Sequence, residues 1–246
     1  MNVSLAIGCS LLWAVVADTG GETVNSEQVS ADKAALAALQ PFVGSWRGVG
    51  QLRRGSNKGA WTEKAQWAWK FADGRASLVF DAPDAKYFPS GKLLPGREEG
   101  TYDLTAQRRD VNDEVRFSGS VDKSGQLVLV ADGDNAASEA PARISIRTVA
   151  DDDRLLVLYE KRLGGDRFAR LAEVGYTRRG ASFAKGSGDP ECIVTGGLGT
   201  IEVSYEGKKY FVCCTGCRDL FNDDPEGVLA DYRERKAAER EKANAE

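Results

Sequence analysis

Five cysteines occur in the chain, and four of them, Cys192, Cys213, Cys214 and Cys217, fall within one stretch of 26 residues. The sequence contains no histidine, which excludes Ser-His-Asp and Cys-His catalysis, His-ligated haem and any metal site that needs an imidazole. What the clustered residues can do is hold a soft ion, because thiolates favour Cu(I), Zn(II) and similar heavy metals. Cys192, Cys213 and Cys217 supply three thiolates, a set suited to trigonal Cu(I). Adding Cys214 gives a four-thiolate set suited to zinc, but successive side chains of an extended segment point apart, which makes Cys214 the weaker ligand. So short a segment cannot bury a self-sufficient core and must be stapled. The other staple is disulfide bonding, for which four cysteines allow three pairings. A Cys213 to Cys214 bridge is strained, and pairing either with Cys217 closes only a tiny loop. Cys214 and Cys217 also form a C-x-x-C pair, although no thioredoxin-like strand and helix pattern surrounds them.

The spacing predicts the elements that bring these sulfurs together. Residues 201–212 read as two strands joined at Glu206-Gly207, a hairpin that folds Cys213 back towards Cys192. Cys217-Arg218-Asp219-Leu220-Phe221 starts a helical turn, and Asp224-Pro225 is a good N-cap and first-position pair for a following helix. Residues 231–246 carry five basic and five acidic side chains and read as a solvated helix supported by pairs such as Arg235 with Glu239. This stretch resembles the TRASH domain and the related YHS domain, whose motif is a Cys, a long spacer, a second Cys, three residues and a third Cys. The residues that match are Cys192 in Glu191-Cys192-Ile193-Val194-Thr195-Gly196, then Tyr205 to Cys217, with Phe221 and Asp224-Pro225-Glu226 continuing the likeness; Ile193 stands where the family commonly has Pro. The resemblance implies a small α+β, treble-clef-like module that binds a soft heavy metal in sensing, trafficking or resistance.

Upstream, from Trp46 to Arg179, short alternating apolar and polar runs are separated by Gly, Asp and Asn, the pattern of an antiparallel sheet. In the clearest run Trp61, Glu63, Ala65, Trp67, Trp69 and Phe71 share one face, with Thr62, Lys64, Gln66 and Lys70 on the other. Eight or nine such strands suit an up-and-down barrel, which leaves no exposed sheet edge. The opening Phe42-Val43-Gly44-Ser45-Trp46 resembles the G-x-W signature of lipocalin-like barrels. That resemblance implies a Trp plugging the barrel floor under an Arg of the last strand, a place Arg178 or Arg179 can fill by cation–π stacking. Such a barrel can hold a small apolar ligand, with Trp67, Trp69 and Glu63 facing inward and residues 86–99, rich in Gly and Pro, as a lid; equally, its own side chains can fill it. Nitric-oxide-binding barrels with a similar opening carry haem on a His, which this chain lacks.

With 42% hydrophobic and 28% charged residues the chain has an ordinary globular composition. Lys and Arg number 33 against 37 Asp and Glu, a net charge of −4, without the basic excess that nucleic acid requires. Residues 1–17 are uncharged and largely apolar, too short to span a membrane, and read as a signal peptide cleaved after Ala17. Cys9 faintly resembles a lipoprotein processing site, with too short a hydrophobic region before it. The organisation expected is therefore a leader over 1–17, a linker and short helix over 18–35, with the helix at 31–39 ended by Pro41, a lipocalin-like antiparallel barrel over 36–180, a linker over 181–190, the Cys module over 191–232 and a charged helical tail over 233–246. Two functions remain: an exported, periplasmic or secreted binder of zinc, Cu(I) or another heavy metal, and a carrier of a small apolar ligand whose Cys segment is only structural. No acid paired with a base, and no nucleophile with a partner, is evident, so an enzyme is not expected.

Overall fold

Alternation in the central region builds ten antiparallel strands in the computed structural model, which describes residues 26–109, 111, 113–133, 140–179 and 190–245. They are β1 (Gly44–Gln51), β2 (Trp61–Ala72), β3 (Arg75–Asp81), β4 (Ser90–Pro95), β5 (Thr101–Gln107), β6 (Glu114–Val121), β7 (Leu127–Ala131), β8 (Arg143–Val149), β9 (Arg154–Gly164) and β10 (Arg167–Arg178). Each pairs with the next, and β1 closes on β10 in register from Trp46 opposite Arg178 to Gln51 opposite Glu173, giving a closed barrel. The leader expected at 1–17 and the linker expected at 181–190, apart from Pro190, lie outside the described residues. β4 corrects the lid expected at 86–99: its residues pair with β3 on one side and β5 on the other. Flanking prolines and a single fully buried residue, Leu93, hide its alternation.

Inward residues of every strand fill the barrel, among them Leu78, Leu93, Leu104, Phe117, Leu127, Leu129, Leu155 and Val174, each all but inaccessible. Among the described residues an interior cavity of about 30 Å³ is walled by Trp67, Phe80, Phe88, Tyr159 and Tyr176. That is space for a water and far below the roughly 300–1,000 Å³ of small-molecule sites.

One end is plugged by α1 (Ser26–Leu36) and a 3-10 turn over Ala37–Phe42, through Leu36, Leu39 and Phe42. The helix covers Ser26–Leu36 rather than the expected 31–39, with the acidic Glu27 in its first turn, and Pro41 lies inside the 3-10 turn rather than ending an α-helix. The Trp46 indole donates to the Phe42 carbonyl at 2.8 Å and lies beneath the Arg178 guanidinium, 4.2 Å from ring centroid. Arg178 rather than Arg179 takes this place, and it also donates to the carbonyls of Pro41 and Val43 at 2.7 Å and of Asp152 at 3.0 Å. Gly44 makes room for it: at φ +140° a side chain is strained, and a Cβ would stand 2.5 Å from Arg178 Nη1.

α1 is tied to β3 by Asp32, which is 2% exposed and accepts from Arg75 Nε at 2.6 Å, Arg75 Nη2 at 3.1 Å and the Ala76 N–H at 3.0 Å. Burial alone would raise this carboxyl, but the hydrogen bonds from Arg75, Gln28 and Ala76 outweigh it and hold the group below its ordinary 3.8.

Two outcomes are expected. Arg178→Lys, which keeps the charge but loses the fork, should cost about 1–3 kcal/mol in urea unfolding. Since the folded-state value of Asp32 is depressed, its contribution is present above the unfolded value and is lost as pH falls through the folded one; Asp32→Asn should flatten the acid side of the stability profile, read as urea midpoints between about pH 6 and 3.

Candidate metal centre

The cysteine-rich segment is built as the spacing predicts. β11 (Ile201–Tyr205) and β12 (Lys208–Val212) pair antiparallel around the Glu206-Gly207 turn. α2 (Thr215–Asp223) follows directly, and Asp224 caps α3 (Pro225–Ala245) by accepting the Gly227 N–H at 2.9 Å. A tight loop carries Cys192: its N–H donates to the Gly197 carbonyl at 2.6 Å, and the Gly196 N–H donates back to the Cys192 carbonyl at 2.8 Å. The Ile193 N–H then bonds the Phe211 carbonyl at 3.0 Å, laying the loop beside β12 and its successor Cys213.

The result is a group of three buried sulfurs, from Cys192, Cys213 and Cys217, all within 4.8 Å of one another. Cys213 and Cys217 are 3.6 Å apart. Four sulfurs about 2.3 Å from a zinc stand about 3.8 Å apart, and three around an ion in a plane about 4.0 Å apart, so the spacing matches a ligand cage. All four cysteines of the segment are free and buried. Cys214 stands outside the three-sulfur group, as its adjacency to Cys213 leads one to expect. Its sulfur accepts the N–H of Trp69 at 3.4 Å.

Crowding of the buried sulfurs shifts their protonation. Hydrogen bonds with Cys213 and then Cys217 draw the Cys192 thiol far below its ordinary value. Sharing that proton raises Cys213, while burial followed by the neighbouring sulfurs pushes Cys217 up. Hydrogen bonding to neighbouring sulfurs likewise lowers the Cys214 thiol, to about 3; a cation at the centre would let all three sulfurs of the group ionise together.

Two basic side chains flank the group. Arg235 of α3 reaches back to the Cys192 loop, donating to the carbonyls of Cys192 and Ile193 at 3.3 Å and to Glu191 at 3.0 Å. Its expected ion pair with Glu239 is present at 4.0 Å, and the same side chain serves in addition as a clamp on the Cys192 loop. Lys33 of α1 is half-buried; desolvation lowers its ammonium, offset in part by Asp231 and by the sulfurs of Cys217 and Cys192. Nothing local in the sequence marks either residue, because both arrive through long-range docking.

The barrel candidates separate. Trp67 lines the interior cavity. Glu63, 2% exposed, accepts from Trp61 Nε1 at 2.5 Å, from the Lys86 N–H at 3.3 Å and from the Tyr176 hydroxyl. Burial, with the Glu63 charge adding to it, pushes the Tyr159 and Tyr176 phenols up, so both remain protonated. Glu63 is thus an acceptor already satisfied by the protein. Trp69 does not line the cavity: its indole donates to Gln40 at 2.9 Å, and it borders a recess of about 400 Å³ shared with Lys33, Thr195 and Arg235. It belongs to the surroundings of the sulfur cluster.

The module is seated hard on the barrel. A Cβ on Gly216, in the first turn of α2, would lie 1.7 Å from the Trp69 carbonyl oxygen, so only glycine permits the approach.

No protein-family model matches the sequence, and no curated protein matches it. Among solved structures, the crystal structure of Rv2717c from M. tuberculosis is similar over 59% of this chain and 97% of that one, with 18% identity and a TM-score of 0.36.

Gly216→Ala is expected to push α2 off β2 and cost about 1–3 kcal/mol or more in denaturant unfolding followed by tryptophan fluorescence, because the colliding atom is backbone and cannot swing aside.

Proposed function

We propose that this protein is an exported heavy-metal binder that captures zinc or Cu(I) on its cysteine cluster, for trafficking or resistance. The observation that carries the reading is the convergence of Cys192, Cys213 and Cys217, all buried, with sulfurs within 4.8 Å of one another. The TRASH/YHS-like spacing in the sequence supports it, and so does the charge of the surroundings. Three thiolates around Zn(II) carry a net charge of −1 and around Cu(I) −2, and Lys33 and Arg235 stand where they offset it. Export rests on the apolar leader read at 1–17. Binding rather than catalysis is the role proposed, since the cluster offers ligands and no acid and base pair. The lipocalin-like barrel serves in this reading as a scaffold, consistent with its water-sized cavity of about 30 Å³.

Elemental analysis with a thiol count tests this. Protein expressed in the periplasm and purified under reduction should hold close to one zinc or copper per chain, and a Cys192→Ser, Cys213→Ser double variant should hold none. Free ion at about 100 times its dissociation constant should stabilise the wild-type fold by about 2.7 kcal/mol, and chelation should remove that gain. Metal-free protein with four free thiols, or with the thiols bonded in two pairs, overturns the proposal.

A further inference from the structure

Beside the sulfur cluster, between the plugged end of the barrel and the Cys module, lies a cleft of about 530 Å³. Ser45 and Gln66 of the barrel form one wall, Gly197 and Leu198 of the Cys192 loop the other, and Cys213 and Cys214 are at its lining. Cys192 and Cys217 have no exposure and do not line it. The recess of about 400 Å³ on the other side, toward Lys33 and Arg235, is lined by no cysteine. Among the described residues, then, solvent-filled space reaches the cluster at Cys213 and Cys214.

Cys214 has a second property that a plain structural thiol would not need. It stands outside the three-sulfur group, yet it is the immediate neighbour of Cys213 in the chain and lines the cleft beside it. The Trp69 N–H, a barrel backbone group, holds it in place.

We infer that the cleft is the hand-over site for the ion and that Cys214 is the thiol that takes it first, an inference that rests on the metal-binding reading above. The donor is a complex of the soft metal with a small thiol. The cleft volume lies in the range of small-molecule sites, and its lining offers the exposed Arg179 to a carboxylate and the exposed Asp152 to an ammonium, the two charges that a free amino-acid thiol such as cysteine carries. Arg178 is unavailable for this, being committed to Trp46 and three carbonyls.

Each exchange conserves atoms and electrons. A metal–sulfur bond to the donor breaks as one to the Cys214 thiolate forms, and the donor sulfur departs as a thiolate; the metal keeps its oxidation state. Cys213 replaces a second donor thiolate, which carries away the Cys213 proton. Cys192, already a thiolate, and Cys217 then complete the buried set, and the Cys217 proton passes to Cys214, which leaves the ion as a thiol.

Stopped-flow uptake of Cd(II) from its complex with free cysteine, followed by thiolate-to-metal absorption, tests the inference on the full chain. Cys214→Ser should load to completion but at least about tenfold more slowly than wild type. Gln66→Trp, at an exposed position of β2 that narrows the cleft, should slow loading from the cysteine complex with its final occupancy kept. Wild-type rates in both variants overturn the hand-over, and so does a Cys214→Ser protein that never fills, because that makes Cys214 a permanent ligand. A wild-type chain that takes up no cadmium refutes the metal-binding reading itself, which separates that failure from failure of the cleft.

Discussion

Contact between the Trp69 carbonyl and the α-carbon of Gly216 fixes where the sulfurs sit. Gly216 lies between Cys214 and Cys217, so the strand that presents Trp69 also sets two of the four thiols, one of them through a direct N–H to sulfur bond. A closed barrel has no free edge and little freedom to shift one strand, which makes β2 a rigid anvil for the first turn of α2. The two regions share a hydrophobic core: the cluster running through Trp46, Trp67 and Trp69 continues without a break into Cys192, Val194, Val212, Phe221 and Leu229. A segment too small to bury its own core borrows one, and this is a physical reason for the fusion of the two parts.

Charge follows from that placement. Docking buries thiols that water would otherwise solvate, so a cation at their centre would let all three of the group ionise together. The same docking draws Lys33 of α1 and Arg235 of α3 to one side of the cluster, where both line one recess, from positions about two hundred residues apart in sequence. α1 stays in place because the neighbouring residue, Asp32, is bonded to Arg75 and Ala76 of β3. A link in the barrel wall therefore carries over to the electrostatics of the cysteine cluster.

Local signals in the sequence were legible and long-range ones were not. The Glu206-Gly207 turn, the Asp224-Pro225 cap and the alternation of β2 each rest on neighbours within a few residues, and each stands in the structure where the sequence puts it. The stacking of Trp46 was readable as a pair, but only geometry chooses Arg178 over Arg179. β4 was missed because its pairing partners, not its composition, make it a strand. Trp69 shares the parity of Trp67 along β2, so alternation alone sends both inward; the 3-10 turn at the plugged end draws Trp69 to Gln40 instead. Arg235 reads as one charge among many until the Cys192 loop folds against α3 and leaves its carbonyls facing the guanidinium.

Cys214 also governs which ion suits the site. Trigonal Cu(I) asks for three sulfurs, and Cys192, Cys213 and Cys217 supply them while Cys214 stays on the Trp69 N–H. Zinc in a structural site asks for four ligands in a tetrahedron. To provide the fourth, Cys214 must give up its bond to the barrel, or a hydroxyl or water must stand in; Thr195 Oγ1 lies 3.5 Å from the Cys213 sulfur, on the recess side. Three-coordinate Cu(I) would therefore leave the barrel contact intact, whereas a four-sulfur zinc site would pull on β2. Because the Gly216 backbone has no slack against Trp69, that pull would have to be taken up by turning the Cys214 side chain rather than by moving α2, and the cost of the turn is the loss of one buried N–H to sulfur bond.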